Sequence, residues 1–144
     1  MRYSITILFL CFANFLFACD CIITPIERHI KETKYVITGQ VIALLDTDKE
    51  KAKYSIYPIG DRAYRVKVKI QNSFKGKLLN EQTIELDSRF KNCDMYFTKN
   101  ESYLLFLHKI KGKYYVKHCS YNETIKNSRT NIIKVKQLTK INGS

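Results

Sequence analysis

The chain has 144 residues, with 25 Lys and Arg against 13 Asp and Glu, for a formal charge of +12. That length admits one domain with a modest core and excludes a TIM barrel or a two-lobed enzyme. The balance of apolar and charged residues excludes a disordered chain. The positive charge makes polyanions and anionic membrane surfaces the first partners to consider.

Residues 1–18 read as a secretory signal. Met1-Arg2 supplies a positive start, and Ile5 to Ala18 is a charge-free apolar run of 14 residues broken only by Thr6 and Asn14. At about 1.5 Å per residue the run is short for roughly 30 Å of hydrocarbon. Ala18 suits a cleavage site. An uncleaved N-terminal anchor is the alternative. Cleavage makes Cys19 the mature N-terminus and leaves one domain, residues 19–144, in a secreted protein. Leu16-Phe17-Ala18-Cys19 also resembles a bacterial lipobox, in which Cys19 would carry a lipid and hold the protein to the cell envelope. No later segment reaches transmembrane length.

Of the 5 cysteines, Cys11 lies in the signal. Cys19, Cys21, Cys93 and Cys119 remain, an even number in an exported chain, and disulfides are their expected use. A Cys19–Cys21 bridge would be strained, because the Cα atoms of a disulfide sit roughly 4.4–6.8 Å apart with aligned Cβ vectors. Two pairings stay open. Both tie the mature N-terminus to distant parts of the chain, each bridge contributing about 4 kcal/mol on chain-entropy grounds. A four-Cys zinc site, helped by His108 or His118, is the rival. Such sites favour closely spaced ligand pairs, whereas Cys93 and Cys119 stand singly. No metal or cofactor of its own is expected.

In chain order, Thr24-Pro25-Ile26-Glu27 is a capping-box pattern with Pro at the first helical position, predicting a short helix from Pro25 to Lys34. Tyr35 to Leu45 is rich in β-branched and aromatic residues and predicts a long strand. Gly39 inside it marks a bulge or bend of the kind a small barrel needs. Asp46 to Asp61 is polar and aperiodic, a long hairpin connection. From Arg65 to Gln71 the pattern alternates, with Val66, Val68 and Ile70 facing in and Arg65, Lys67 and Lys69 facing out. Phe74 to Lys77 is the expected turn, and Thr83 to Asp87 alternates again. Ser102 to Lys109 is a continuous apolar run. Lys111-Gly112 turns it into a last strand from Tyr114 to Cys119. In the tail, Ile132, Val135, Leu138 and Ile141 recur every three residues and suggest a helix. The fold class is therefore mainly β, a five-stranded OB-like barrel with one short N-terminal helix and a C-terminal helical tail; a sandwich is the alternative.

The ordered features now converge on a family. They are Cys19-Asp-Cys21 at the mature N-terminus, Tyr35-Val-Ile-Thr-Gly39-Gln-Val41, and Tyr64-Arg-Val-Lys-Val68 leading to Phe74-Lys-Gly76. Cys93 before Tyr103-Leu-Leu-Phe106, and Cys119 closing the last strand, complete the set. From about Cys19 to Cys119 the chain resembles the N-terminal, netrin-like domain of the tissue inhibitors of metalloproteinases, in a short single-domain form. The resemblance implies the pairing Cys19–Cys93 and Cys21–Cys119. It implies an inhibitory edge at Cys19 and Asp20. The α-amino and carbonyl groups of Cys19 would chelate a protease's catalytic zinc, and the next side chain, here Asp20, would enter the protease's specificity pocket. The implied partner is an extracellular zinc metalloprotease.

The outward Arg65, Lys67 and Lys69 form a second candidate, a basic face for an anionic polymer or lipid surface. It would serve a non-inhibitory binding module, extracellular or envelope-anchored. Export argues against nucleic acid, and a monomer is expected. His29, His108 and His118 acquire no role. No Gly-x-Ser-x-Gly, His-Glu-x-x-His or phosphate-binding loop occurs, so no enzyme is expected. Asn100-Glu-Ser102, Asn122-Glu-Thr124 and Asn142-Gly-Ser144 are glycosylation sequons.

Overall fold

A computed structural model describes residues 24–45, 62–89 and 95–141. The signal segment, Cys19, Asp20, Cys21, Cys93 and the expected connection from Asp46 to Asp61 lie outside the described residues. The elements are α1 (Ile26–Glu32), β1 (Tyr35–Leu44), β2 (Arg62–Ala63), β3 (Arg65–Lys75) and β4 (Thr83–Asp87). They continue with β5 (Phe97–Thr98), β6 (Ser102–Ile110), β7 (Lys113–Val116), β8 (Glu123–Thr124) and α2 (Arg129–Ile141).

Five of the strands close into a barrel. Hydrogen-bonded neighbours run β1-β3-β4-β7-β6, and β6 pairs back onto β1. All contacts in that circuit are antiparallel except β4 with β7, which is parallel. Numbered along the chain, the circuit is 1-2-3-5-4-1, the OB-like arrangement expected from the strand spacing.

Two cores follow from this closure. Inside the barrel lie Ile37, Val41, Val66, Val68, Ile70, Leu86, Leu105 and Leu107, all buried. Outside it, Val36, Leu104 and Phe106 pack against Ile26 and Ile30 of α1 and Val135 of α2. β1 and β6 are thus buried on both faces, which explains why their sequences read as continuous apolar runs. β3 and β4 keep one face in solvent and therefore alternate. Each fully buried Leu, Ile or Phe contributes about 1.5–3 kcal/mol.

Gly39 allows β1 to serve two partners. The β1–β3 register shifts between Thr38 and Gly39. A Cβ on Gly39 would stand 2.4 Å from Val68 Cγ1 and 3.1 Å from the Lys69 carbonyl. The expected bend is present, and its cause is the close approach of β3. At the β6–β7 hairpin Lys111 and Gly112 have φ of 48° and 83°. These are the left-handed values that a two-residue primed turn requires.

Several local expectations change. No capping box forms: Pro25 is the N-cap of α1 and the helix start has no side-chain cap. Thr24 Oγ1 instead pairs with His29 Nε2 at 2.6 Å. β3 runs on through Phe74 and Lys75, so the turn begins at Gly76. Lys75 Nζ donates to the carbonyls of Ile30 (2.6 Å) and Lys31 (3.1 Å), capping the C-terminal end of α1. The last barrel strand stops at Val116, which leaves Cys119 in the turn beyond it. The tail helix is present as α2, with Val135 fully buried.

Candidate functional site at one end of the barrel

Parallel pairing makes β4 and β7 leave the barrel at the same end. Asp87 of β4 is level with Tyr115 of β7. After β4, the chain is held at Ser88, which is fully buried. Its Oγ donates to the Tyr64 carbonyl at 3.1 Å and also contacts the Met95 carbonyl. Both stems of the segment that contains Cys93 are therefore attached at one point. Beside them, the hydroxyls of Tyr64 and Tyr96 are hydrogen-bonded, with ring centroids 4.4 Å apart.

After β7, the chain enters the turn that carries Cys119, whose φ is 53°. One side chain organises this turn. Asn122 Oδ1 accepts the Phe106 backbone N–H at 2.7 Å, and its Nδ2 donates to the Lys117 carbonyl at 2.6 Å and to Ser120 Oγ at 3.2 Å. Asn122 thereby continues the β6 ladder between the end of β7 and the start of β8. Ser120 Oγ adds a bond to the Lys117 carbonyl at 2.8 Å. The Asn122 amide, the acceptor of a sequon, is already fully engaged in the fold.

The N-terminal segment is fastened to this same turn. Tyr121 donates its hydroxyl proton to the Thr24 carbonyl at 2.9 Å, across 97 positions of sequence. His29, from α1, is buried beneath, edge-on to the Tyr121 ring at 5.4 Å and to Phe106 at 6.3 Å. Burial, followed by the Lys117 charge, holds its pKa below the ordinary imidazole value and keeps the ring neutral. Lys117 Nζ reaches Glu32 of α1 at 2.8 Å, and Arg28 joins the same carboxylate at 2.6 Å. These two cations, Arg28 first, lower the Glu32 pKa to about 2. A cleft of about 520 Å³ opens here, lined among the described residues by His29, Cys119, Tyr121, Asn122, Glu123 and Asn131. His29, Asn122 and Tyr121 were not distinguishable as site residues in the sequence. An Asn and a Tyr closely following a terminal cysteine were the available signal.

The other candidate face has a different character. Arg65, Lys67 and Lys69 do share the outward side of β3, but each faces a carboxylate. Arg65 lies 4.0 Å from Asp87, Lys67 lies 4.0 Å from Glu85, and Lys69 pairs with Glu81. The first two are directly opposed residues of β3 and β4. The stripe is a cross-strand charge ladder, locally balanced, rather than a bare basic patch. Among the described residues, no group of three or more His, Cys, Asp and Glu is arranged to hold a metal ion. No helix there is long and apolar enough to cross a membrane.

No model of a known protein family matches the chain, and no curated protein matches it.

Proposed function

We propose that the chain is an exported, non-catalytic inhibitor of a zinc metalloendopeptidase, acting through the first residue of its mature form. The α-amine and carbonyl of Cys19 would occupy the open coordination position that a catalytic zinc keeps for water. An α-amine has a pKa of about 7.7–8.0 and loses its proton readily beside a metal. Disulfides Cys19–Cys93 and Cys21–Cys119 would hold the chelating edge rigid and reduce the entropy cost of binding.

The observation that carries this reading is the convergence of three chain segments at one end of the barrel. The parallel β4–β7 pair sends the stems around Cys93 and the turn of Cys119 out together. The Tyr121–Thr24 hydrogen bond brings the N-terminal segment to the same place. Cys21 is three positions before Thr24, a reach of at most about 11 Å. Convergence of this kind supports both bridges without choosing between the two possible pairings; that choice rests on the family resemblance.

The test uses exported protein whose N-terminus, intact mass and disulfide count have been verified. Mature protein beginning at Cys19 is assayed against a panel of zinc endopeptidases, beside a version carrying one extra residue before Cys19. Inhibition by the first and not by the second is expected. Failure of the first to inhibit any member, with a confirmed free Cys19 amine, overturns the proposal.

A further inference from the structure

Two side chains from elsewhere in the fold fasten Thr24, which stands three positions after Cys21. Tyr121 donates its hydroxyl proton to the Thr24 carbonyl at 2.9 Å, and His29 Nε2 lies 2.6 Å from Thr24 Oγ1. The two also support one another. The Tyr121 ring meets the imidazole edge-on at 5.4 Å, and Phe106 packs edge-on to it at 6.3 Å. Only 5% of the His29 surface is exposed, so solvent does not stand in for a missing partner.

One ring nitrogen lacks such a partner. Nδ1 is buried and makes no hydrogen bond among the described residues. A neutral imidazole tolerates this, because it can place its single proton on Nε2, towards Thr24, and leave Nδ1 a bare lone pair. An imidazolium carries a proton on both nitrogens, and the second would be a charged donor buried without an acceptor. Among the described residues the neighbouring charges do not offset that cost. Lys117 and Arg28 repel the cation, whereas Glu32 attracts it. The Glu32 carboxylate, however, already accepts from Arg28 and Lys117. Glu123, on the adjoining cleft, accepts from Asn131 of α2. Tyr121 and Cys119 carry no charge below neutral pH, and Phe106 of β6 does not titrate.

We propose that His29 is a positioning residue for the inhibitory edge and acts as an acid-sensitive latch. With the ring neutral, His29 and Tyr121 together hold Thr24, and through it the preceding residues, against the barrel end. Uptake of a solvent proton at Nδ1 drives the ring from beneath Tyr121, breaks its bond to Thr24 and releases the segment before α1. The consequence for inhibition rests on the reading above; the latch itself does not. The direction follows from linkage. An opened imidazole titrates near 6.5, and the closed one below that value because it is buried. The latch is therefore complete above pH about 6.5 and weakens as pH falls from there through the closed-state pKa. The inhibitor would hold its target at neutral pH and release it on acidification.

The experiment measures amide hydrogen exchange in the oxidised mature protein at pH about 7.5 and about 5.5, expressed as protection so that the intrinsic pH dependence cancels. Protection of the α1 amides should fall by up to about tenfold, the ceiling for one group whose opened pKa is about 6.5. At both values α1 should be less protected than Val66 and Val68, because the latch opens without unfolding the barrel. His29→Gln, which keeps an amide to meet Thr24 and cannot titrate, should change by less than about twofold over the same range. Tyr121→Phe keeps the imidazole and should lower α1 protection about fivefold at both values, the loss of one net hydrogen bond. This second variant tests the latch even where His29→Gln does not fold. Wild-type protection that is flat with pH, α1 protection equal to that of the barrel, an equal fall in His29→Gln, or unchanged protection in Tyr121→Phe overturns the proposal. Inhibition of the responsive endopeptidase is then compared at the same two values. Protonation of the Cys19 amine and of the protease affects both proteins alike, so the wild type should lose several-fold more inhibition on acidification than His29→Gln. Equal losses would overturn the positioning role. The expected protection pattern without inhibition at either value would overturn the inhibitor reading and leave the latch standing.

Discussion

The turn carrying Cys119 depends on one amide, and its removal has a calculable effect. Asn122→Ala strands one backbone group and weakens another. The N–H of Phe106, whose side chain is fully buried, loses its acceptor, and the Lys117 carbonyl keeps only its bond from Ser120 Oγ. A net hydrogen bond is worth about 1 kcal/mol and a stranded buried group costs about 1–3 kcal/mol, so a loss of about 2–4 kcal/mol is expected. That is a large part of the roughly 5–15 kcal/mol that holds a typical domain together. Urea denaturation of the oxidised protein measures the loss. Hydrogen exchange at the Phe106 amide should accelerate in step with it.

Asn122→Asp separates the hydrogen-bond account from loss of volume. Its first carboxyl oxygen can still accept from Phe106. Its second meets the Lys117 carbonyl, where the ionised form is repelled and the protonated form donates. The folded-state pKa of the new carboxyl is therefore raised above its unfolded value. Its stabilisation is complete below the unfolded pKa and is lost as pH rises through the folded pKa. The variant should approach the wild type near pH about 3.5 and trail it by about 2 kcal/mol at pH about 7. A cost of Asn122→Ala below about 0.5 kcal/mol would refute the reasoning. So would an Asn122→Asp deficit that does not widen as pH rises.

Three further outcomes follow. Gly39→Ala places a methyl 2.4 Å from Val68 Cγ1 and should cost about 1–3 kcal/mol. Adding Val68→Ala removes the obstructing atom, so the double variant should lose at least about 1 kcal/mol less than the sum of the singles in chemical denaturation. The Glu32 carboxylate, lowered from 4.5 to about 2 by Arg28 and Lys117, contributes stability above 4.5 that disappears as pH falls towards 2. Glu32→Gln should flatten that stretch of the stability-versus-pH curve, and an unchanged acid limb would count against the network. Asp20→Thr should strengthen zinc-endopeptidase inhibition by up to about a thousandfold, because burying an unpaired carboxylate against the protease costs about 4 kcal/mol. Equal inhibition constants for the two forms would show that the Asp20 side chain does not enter the pocket.

Much of the barrel was legible in the sequence because its strands differ in what they touch. The alternation from Arg65 to Gln71 records a strand with one face in solvent. The apolar run from Ser102 to Lys109 records a strand covered on both faces, by the barrel interior and by α1 and α2. The turn at Lys111-Gly112 and the bend at Gly39 could be read for the same reason: each answers a local backbone requirement. The capping box failed because a propensity pattern competes with tertiary partners. Thr24 found His29, five residues on, a better use of its hydroxyl than the helix start. The acids beside the basic stripe were hidden for a similar reason. Alternation places Arg65, Lys67 and Lys69 on one face, but only strand pairing brings Asp87 and Glu85 opposite them.

The candidate site was hidden because it is a consequence of closure rather than of any local pattern. Nothing in the order of strands along the chain requires the fifth to lie between the third and the fourth. Once β7 inserts there, it must run parallel to β4, since β6 already runs antiparallel to β7 and to β1. Two connections distant in sequence, one after β4 and one after β7, then emerge side by side. The hydrogen bond from Tyr121 to Thr24 adds the N-terminal segment to them. An inhibitor that acts through its first residue needs that residue held against at least two rigid loops, because a free terminus would lose its binding energy to ordering. A barrel of this connectivity brings the turn of Cys119 and the two stems at Ser88 and Met95 out at one end.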